Sequence, residues 1–328
     1  MIDPQQDRTT MPFIDPPAYA VGIVGIVGID IGGTKIGGLL VSDDGAVLAR
    51  GSVPAPASLG GGAMADAAAA LALDLAARAD VALAAVGVGA AGVIDHATGT
   101  VRAASATFVD WAGFPLADEL ESRLSVPVRV ENDVNAFLLG EVAAADRSEH
   151  DVLGVMLGTG VGGAVIIDGE LRHGPHGAAG EIGHTPGYSD LVCTCGQIGH
   201  LETLASGTSI GRRYAELAGG EVLDARVVAE RARAGDDAAI AVFRAAGRAL
   251  ALACASAATL LDLPHAIVGG GVSSAWDLLE PAIEDTLRTD SPVSGLPLRI
   301  TPARLGGDAV ALGAIETARR ALVLVGAP

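Results

Sequence analysis

Twice along this chain a Val/Ile-rich strand runs into a glycine-rich turn and straight out again as a second strand. The first copy is Val21 to Asp30, the turn Ile31-Gly-Gly-Thr-Lys35, and Ile36 to Ser42. The second is Val152 to Leu157, the turn Gly158-Thr-Gly-Val-Gly-Gly163, and Ala164 to Ile167. Each copy then meets a hairpin signal, Asp43-Asp44-Gly45 or Asp168-Gly169, and in the first copy a third strand follows over Ala46 to Val53. Beyond these openings helix and strand alternate. A helix is expected over Ala63 to Ala79, a buried strand near Val81 to Gly87, and a strand Val128 to Val130 leading into a helix Val134 to Ala145. The second half predicts helices over Glu202 to Leu217 and Asp237 to Leu261, then a strand Ala266 to Val268 that runs into Gly269-Gly270-Gly271 and a further helix. A last helix is expected from Asp308 as its N-cap. This pattern is that of an α/β protein with mixed sheets, and its repetition predicts a duplicated architecture with a cleft between halves.

A length of 328 residues suits two domains of roughly 150 residues each. The division expected is a flexible tail over 1–20, broken by Pro4, Pro12, Pro16 and Pro17; a first lobe of 21–134 rejoined by 308–328; and a second lobe of 135–307. Half the residues are apolar, enough for a sizeable core. A net charge of −18 repels phosphate backbones and argues against nucleic-acid binding. The longest apolar run, Ala18 to Ile29, is too short and Gly-broken to span a bilayer. No basic leader with a small-residue cleavage site opens the chain, and a Cys193-x-Cys195 pair is poorly placed to bond to itself. A reduced, cytoplasmic protein is therefore expected.

Scarce residue types point at the chemistry. The single lysine, Lys35, closes the first glycine turn, and the two asparagines, Asn132 and Asn135, share one five-residue window. His173, His176, His184 and His200, with Cys193 and Cys195, gather between 173 and 200. At the first turn, close backbone approach, the Thr34 hydroxyl and the Lys35 ammonium suit a phosphate, and Asp30 could hold Mg²⁺; an ordinary tight hairpin is the alternative. Glu131-Asn132-Asp133 stands at the carboxyl end of a strand, where open α/β sheets bind ligands. There Asp133 could be a general base and Asn132 a partner for hydroxyls, or Asp133 could simply cap the helix. His184, Cys193, Cys195 and His200 supply two thiolates and two imidazoles within 17 residues, a set suited to structural zinc. Gly87-x-Gly-x-x-Gly92 and Gly158-x-Gly-x-x-Gly163 match the dinucleotide fingerprint, but neither precedes a helix, so NAD binding is rejected.

Taken together, Asp30-Ile-Gly-Gly-Thr-Lys35, Glu131-Asn-Asp-Val-Asn135, Leu157-Gly-Thr-Gly-Val-Gly-Gly163, Gly180-Glu-Ile-Gly-His184 and Cys193-Thr-Cys-Gly-Gln-Ile-Gly-His-Leu-Glu202 resemble the ROK family of sugar kinases and regulators over about residues 22 to 320. The resemblance implies an actin-like (ribonuclease-H-like) two-lobe fold and ATP-dependent phosphorylation of a hexose at its 6-hydroxyl. Glucose comes first as substrate, and an N-acetylhexosamine such as N-acetylmannosamine is the alternative. It implies ATP phosphates on Gly32, Gly33, Thr34 and Lys35 and on Gly158, Thr159, Gly160 and Gly162, with Gly269, Gly270 and Gly271 lining the adenosine. It makes Asp133 the catalytic base, and gives Asn132, Asp133, Glu181, His184 and Glu202 to the sugar. It implies zinc on His184, Cys193, Cys195 and position 200, where the family has Cys and this chain His200, and a homodimer or homotetramer. Glucose-type members carry Pro-Gly where this chain has Ala91-Gly92, and an Asn where it has Thr107, four residues before Trp111. The family's sugar-sensing repressors form the other class. They place a winged helix ahead of the first motif, whereas the 29 residues before Asp30 are Pro-broken and carry one arginine.

Overall fold

The computed structural model describes residues 24–105, 107–145 and 150–326; the expected tail over 1–20 and the first residues of the expected opening strand lie outside them. Strands β1 (Val24–Ile31), β2 (Lys35–Ser42) and β3 (Val47–Pro54) form an antiparallel meander. Helix α1 (Gly61–Ala79) then returns the chain to β4 (Ala82–Ala90), which lies parallel beside β1. A hairpin of β5 (Val93–Asp95) and β6 (Thr100–Ala103) and helix α2 (Leu116–Leu124) lead to β7 (Val128–Asn132), parallel beside β4. The sheet order is β3-β2-β1-β4-β7. Helix α3 (Asp133–Ala144) follows at once.

The second half repeats the plan. Strands β8 (Val152–Leu157), β9 (Val161–Ile167) and β10 (Glu170–Leu171) form the meander. Helices α4 (Glu202–Ala205), α5 (Gly207–Ala218), α6 (Ala225–Arg233) and α7 (Asp237–Leu261) precede β11 (His265–Gly269), and α8 (Trp276–Thr289) precedes β12 (Arg299–Pro302). The order β10-β9-β8-β11-β12 reproduces the first sheet strand for strand, so the expected duplication is present. Helix α9 (Ala309–Gly326) closes the described chain and packs on α3, β1 and β4.

Burial follows the sequence pattern. In the central strand β1, five consecutive residues from Gly25 to Ile29 are buried, whereas the edge strand β3 alternates exposed and half-buried positions. On α1, Met64, Ala68, Leu71 and Leu75 recur at helical spacing and face the first core. Helix α9 lies so close to β4 that a Cβ on Gly87 would fall 1.8 Å from the Ala314 carbonyl oxygen. That glycine of the dinucleotide-like run serves helix packing inside a strand, which supports the rejection of NAD. Helix α7 is long and apolar enough to cross a membrane, but Val242, Phe243, Leu250 and Cys254 on it are buried in the second core. Burial also pushes the Cys254 thiol up to about 12, so it stays protonated and inert.

Three expectations are corrected. The single helix over Glu202 to Leu217 is two helices, because Ser206 is extended and its side chain accepts from Ser209 N at the start of α5. Asp308 does not cap α9; it ends a 3₁₀ turn, and its carboxylate pairs with Arg50 at 3.0 Å. Strand β9 begins at Val161, so the second glycine turn is shorter than its motif. Helices α2 and α6 were not anticipated at all.

Candidate active site

The site gathers at the carboxyl ends of β1, β4 and β7, which run parallel in that order. Asp30 pairs with Gly89, and Ala90 with Asn132, so Asp30 and Asp133 reach the same sheet edge. Burial pushes the Asp30 carboxyl up to about 6, against the pull of Lys35. Burial also pushes Asp133 up to about 7, with the negative charges of Asp30 and Glu181 adding to the effect. A carboxylate near neutrality is suited to exchanging a proton with a ligand hydroxyl.

Asn132, rather than Asp133, caps α3. Its Oδ1 accepts from Val134 N at 2.9 Å and Asn135 N at 3.1 Å, and its Nδ2 donates to Asp133 Oδ1 at 3.0 Å. The same amide donates to the Gly92 carbonyl at 2.9 Å, which ties the loop after β4 to the helix start. Asp133 is left as the first helical residue, where its Oδ1 also accepts from Val134 N at 3.0 Å. Neighbouring Glu131 is buried; its Oε1 accepts from Asn132 N and Asn135 Nδ2, each at 2.9 Å, and its Oε2 from His173 Nε2 at 2.7 Å.

The first glycine turn is tight, with Gly32 N donating to the Lys35 carbonyl at 3.1 Å, and it leaves Thr34 and Lys35 exposed. Gly33 lies under Thr107 and Phe108, in a loop anchored by buried Trp111, whose Nε1 donates to the Ala91 carbonyl at 3.0 Å. At the second turn, Gly158 borders open space and Thr159 is exposed. Gly160 is pressed against Glu202 Oε2, which also accepts from Val161 N at 3.0 Å. Gly162 and Gly269 also lie against α3. A Cβ on Gly162 would meet Val134 at 2.6 Å, and one on Gly269 would meet Phe137 at 2.4 Å, so both serve the packing of α3. Gly270 adopts a φ of +86° and Gly271 is open. Sequence reasoning missed the start of α5, where Gly207 N donates to the Gly158 carbonyl at 2.8 Å and Thr208 Oγ1 to that of Thr159 at 2.9 Å. The Ser-Gly-Thr string there was the available signal.

Glu181, His184 and Glu202 form a second charged group. Burial raises the Glu181 carboxyl, His184 lowers it and Glu202 raises it. Beyond them, one donor atom from each of His184, Cys193, Cys195 and His200 lies within 4.8 Å of the others. The two Nδ1 atoms are 3.3 Å apart, Cys195 Sγ is 3.3 Å from His200 Nδ1, and Cys193 Sγ is 3.8 Å from His184 Nδ1. A tetrahedral zinc at ordinary Zn–N and Zn–S lengths needs edges of roughly 3.4–3.8 Å. The donor set fits that ion, with His200 in the fourth place. All three cysteines are free thiols.

The profile of the ROK family matches residues 26–321. The chain belongs to the ROK family. It is 35% identical to a glucokinase of Streptomyces coelicolor over 313 residues, 89% of this chain and 97% of that protein. It is 34% identical to an N-acetylmannosamine kinase of Escherichia coli over 293 residues, 87% of this chain and 95% of that one. A ROK family glucokinase from Streptomyces griseus, solved in complex with glucose and AMPPNP, superposes with a TM-score of 0.78 at 34% identity, covering 90% of this chain and 99% of that one. The fold is therefore the actin-like two-lobe fold of ROK sugar kinases.

Proposed function

We propose that this ROK protein is an ATP-dependent hexose kinase that transfers the γ-phosphate of MgATP to the 6-hydroxyl of glucose. The observation that carries it is Asp133: a carboxyl pushed up to about 7, at the strand edge that also bears Asp30, and next to Asn132, which is the N-cap of the helix. In this reaction Asp133 takes the proton of the sugar hydroxyl as that oxygen bonds to the γ-phosphorus. The bond from phosphorus to the β,γ-bridging oxygen breaks and ADP leaves with its electrons. Transfer of this kind has a loose transition state, so positioning and charge neutralisation supply most of the rate. Asp30 holds Mg²⁺, directly or through water, and Lys35, Thr34 and the backbone of both glycine turns hold the phosphates. Asn132, Glu181, His184 and Glu202 take the other sugar hydroxyls.

Zinc is proposed on His184, Cys193, Cys195 and His200. Bound there, it holds the loop 184–200 and fixes the His184 tautomer, so that the remaining ring N–H is a dependable donor to the sugar. N-acetylmannosamine is the second substrate reading, favoured by Thr107, which is exposed beside Gly33. Family likeness extends the proposal to a cytoplasmic homodimer or homotetramer.

The test is ADP release from MgATP with glucose, mannose, fructose, N-acetylglucosamine or N-acetylmannosamine, on protein whose zinc content has been measured. Glucose is expected to respond most strongly on protein with one zinc per chain. A folded, zinc-loaded protein that releases no ADP with any of the five defeats the proposal.

A further inference from the structure

One buried polar chain lies outside the roles assigned above and crosses between the lobes. Glu131 is the penultimate residue of β7 in the first sheet and is 4% exposed. Two of its three donors, Asn132 N and Asn135 Nδ2, lie within four residues of it and flank Asp133. The third, His173 Nε2, comes from the loop after β10 in the second lobe. The Glu131 carboxylate in turn holds the His173 ring above the usual imidazole range. The ring lies flat on His96, at 4.1 Å between centroids and 13° between planes, in the turn of the β5–β6 hairpin. The loop bearing His173 closes on itself, with Ala179 N donating to the His173 carbonyl at 3.1 Å, and two residues later it delivers Glu181. Gly177 of the same loop sits where a Cβ would lie 2.9 Å from the Ile94 carbonyl. The segment that brings Glu181 to the site is thus seated on the hairpin and pinned to the residue next to Asn132.

We infer that His173, acting through Glu131 and braced by His96, is a positioning residue that holds Asn132 of one lobe and Glu181 of the other in register around the sugar. The inference rests on the sugar-kinase function proposed above. Removing the His173 ring leaves one oxygen of a buried carboxylate without its donor, a loss that falls on the sugar side of the cleft. The second glycine turn is held by other contacts, through Gly207, Thr208 and Glu202, and the first by its own bond from Gly32 N to the Lys35 carbonyl.

The experiment compares the full-length, zinc-loaded protein with His173→Ala, His173→Gln and His96→Ala, using the panel sugar that the unsubstituted protein phosphorylates best. His173→Ala is expected to raise the sugar KM about tenfold, with the MgATP KM within about twofold. His173→Gln keeps a donor and is expected to recover most of that loss, and His96→Ala to cost about threefold. Hydrogen exchange supplies a readout that needs no turnover. In His173→Ala the amides of Val134, Asn135 and Ala179 exchange faster while those of 185–199 do not change. A sugar KM that stays within twofold, sugar and MgATP KM values that rise together, or unchanged exchange at those three amides overturns the inference. A protein without sugar-dependent ADP release defeats the proposed function instead, and the exchange measurement still decides the positioning role.

Discussion

The two glycine turns occupy equivalent places in sheets of the same strand order, yet they work differently. The first, between β1 and β2, carries polar and charged side chains: Asp30 before it, and Thr34 and Lys35 exposed upon it. The second, between β8 and β9, offers mainly backbone, and neighbours hold it in place. Glu202 accepts from Val161 N, Gly207 N donates to the Gly158 carbonyl, and Thr208 Oγ1 donates to that of Thr159. Duplication supplied the same hairpin twice, and divergence put charge on one copy and buttressing behind the other. The first turn and the carboxylates beside it should therefore be sensitive to single side chains, and the second turn tolerant of them.

Asp133→Asn tests that asymmetry at its strongest point. Turnover is expected to fall roughly 10²–10⁴-fold with sugar binding still measurable by calorimetry. Near-normal turnover would remove Asp133 as the base. In the unsubstituted protein kcat/KM for sugar should climb as pH rises through about 7, because the base must be ionised and Asp133 is pushed up to about 7. The variant loses that limb. Its stability should move the other way. A carboxyl whose folded pKa is raised from 3.8 to about 7 binds its proton more tightly when folded, so ionising it as pH rises between those values costs stability. The neutral amide escapes that cost, and the variant is expected to melt a few degrees higher at pH 8. A lower melting temperature there would contradict the burial cause.

Lys35→Met comes next. Lys35 is the one lysine of the chain and stands exposed on the first turn. Loss of one preorganised cation facing phosphate should cost about 10²-fold in kcat/KM for MgATP and leave the sugar KM nearly unchanged. An effect below about threefold would mean that the first turn, like the second, works through its backbone.

How much of this was legible in the sequence depended on whether the signal was local. The two hairpins, the Lys35 turn, the Asn132-Asp133 pair and the His/Cys loop all lie in short windows, where a rare residue type stands out against a chain of Ala and Gly. The α/β alternation was readable for the same reason, since each strand or helix carries its own period. Glycine roles were not. Gly162 and Gly269 read in sequence for ligand approach alone, and the clearance they also give to Val134 and Phe137 of α3 shows only in the tertiary structure. Capping, the alternative reading for Asp133, falls to Asn132, because the choice between adjacent cap-forming residues turns on where the strand ends. The Glu131–His173 pair joins residues 42 positions apart; each lies in a marked window, but nothing local shows that the two meet. The break at Ser206 was hidden because apolar and small residues continue across it with helical spacing.

The smallest expected effect is also the sharpest test of the comparison. Thr208→Val removes one hydroxyl that donates to the Thr159 carbonyl at an exposed position. One such bond contributes about 0.5–1.5 kcal/mol net, and here water can replace it on the carbonyl. The turn keeps its internal bond from Gly158 N to the Gly160 carbonyl at 2.9 Å, the Gly207 bond and the Glu202 clamp. The MgATP KM should rise no more than about threefold, with kcat and sugar KM unchanged. A loss of 30-fold or more would mean that the second turn hangs on a single side chain after all. The contrast between a chemically loaded first turn and a redundantly braced second one would then fail, even with the effects of Asp133→Asn and Lys35→Met intact.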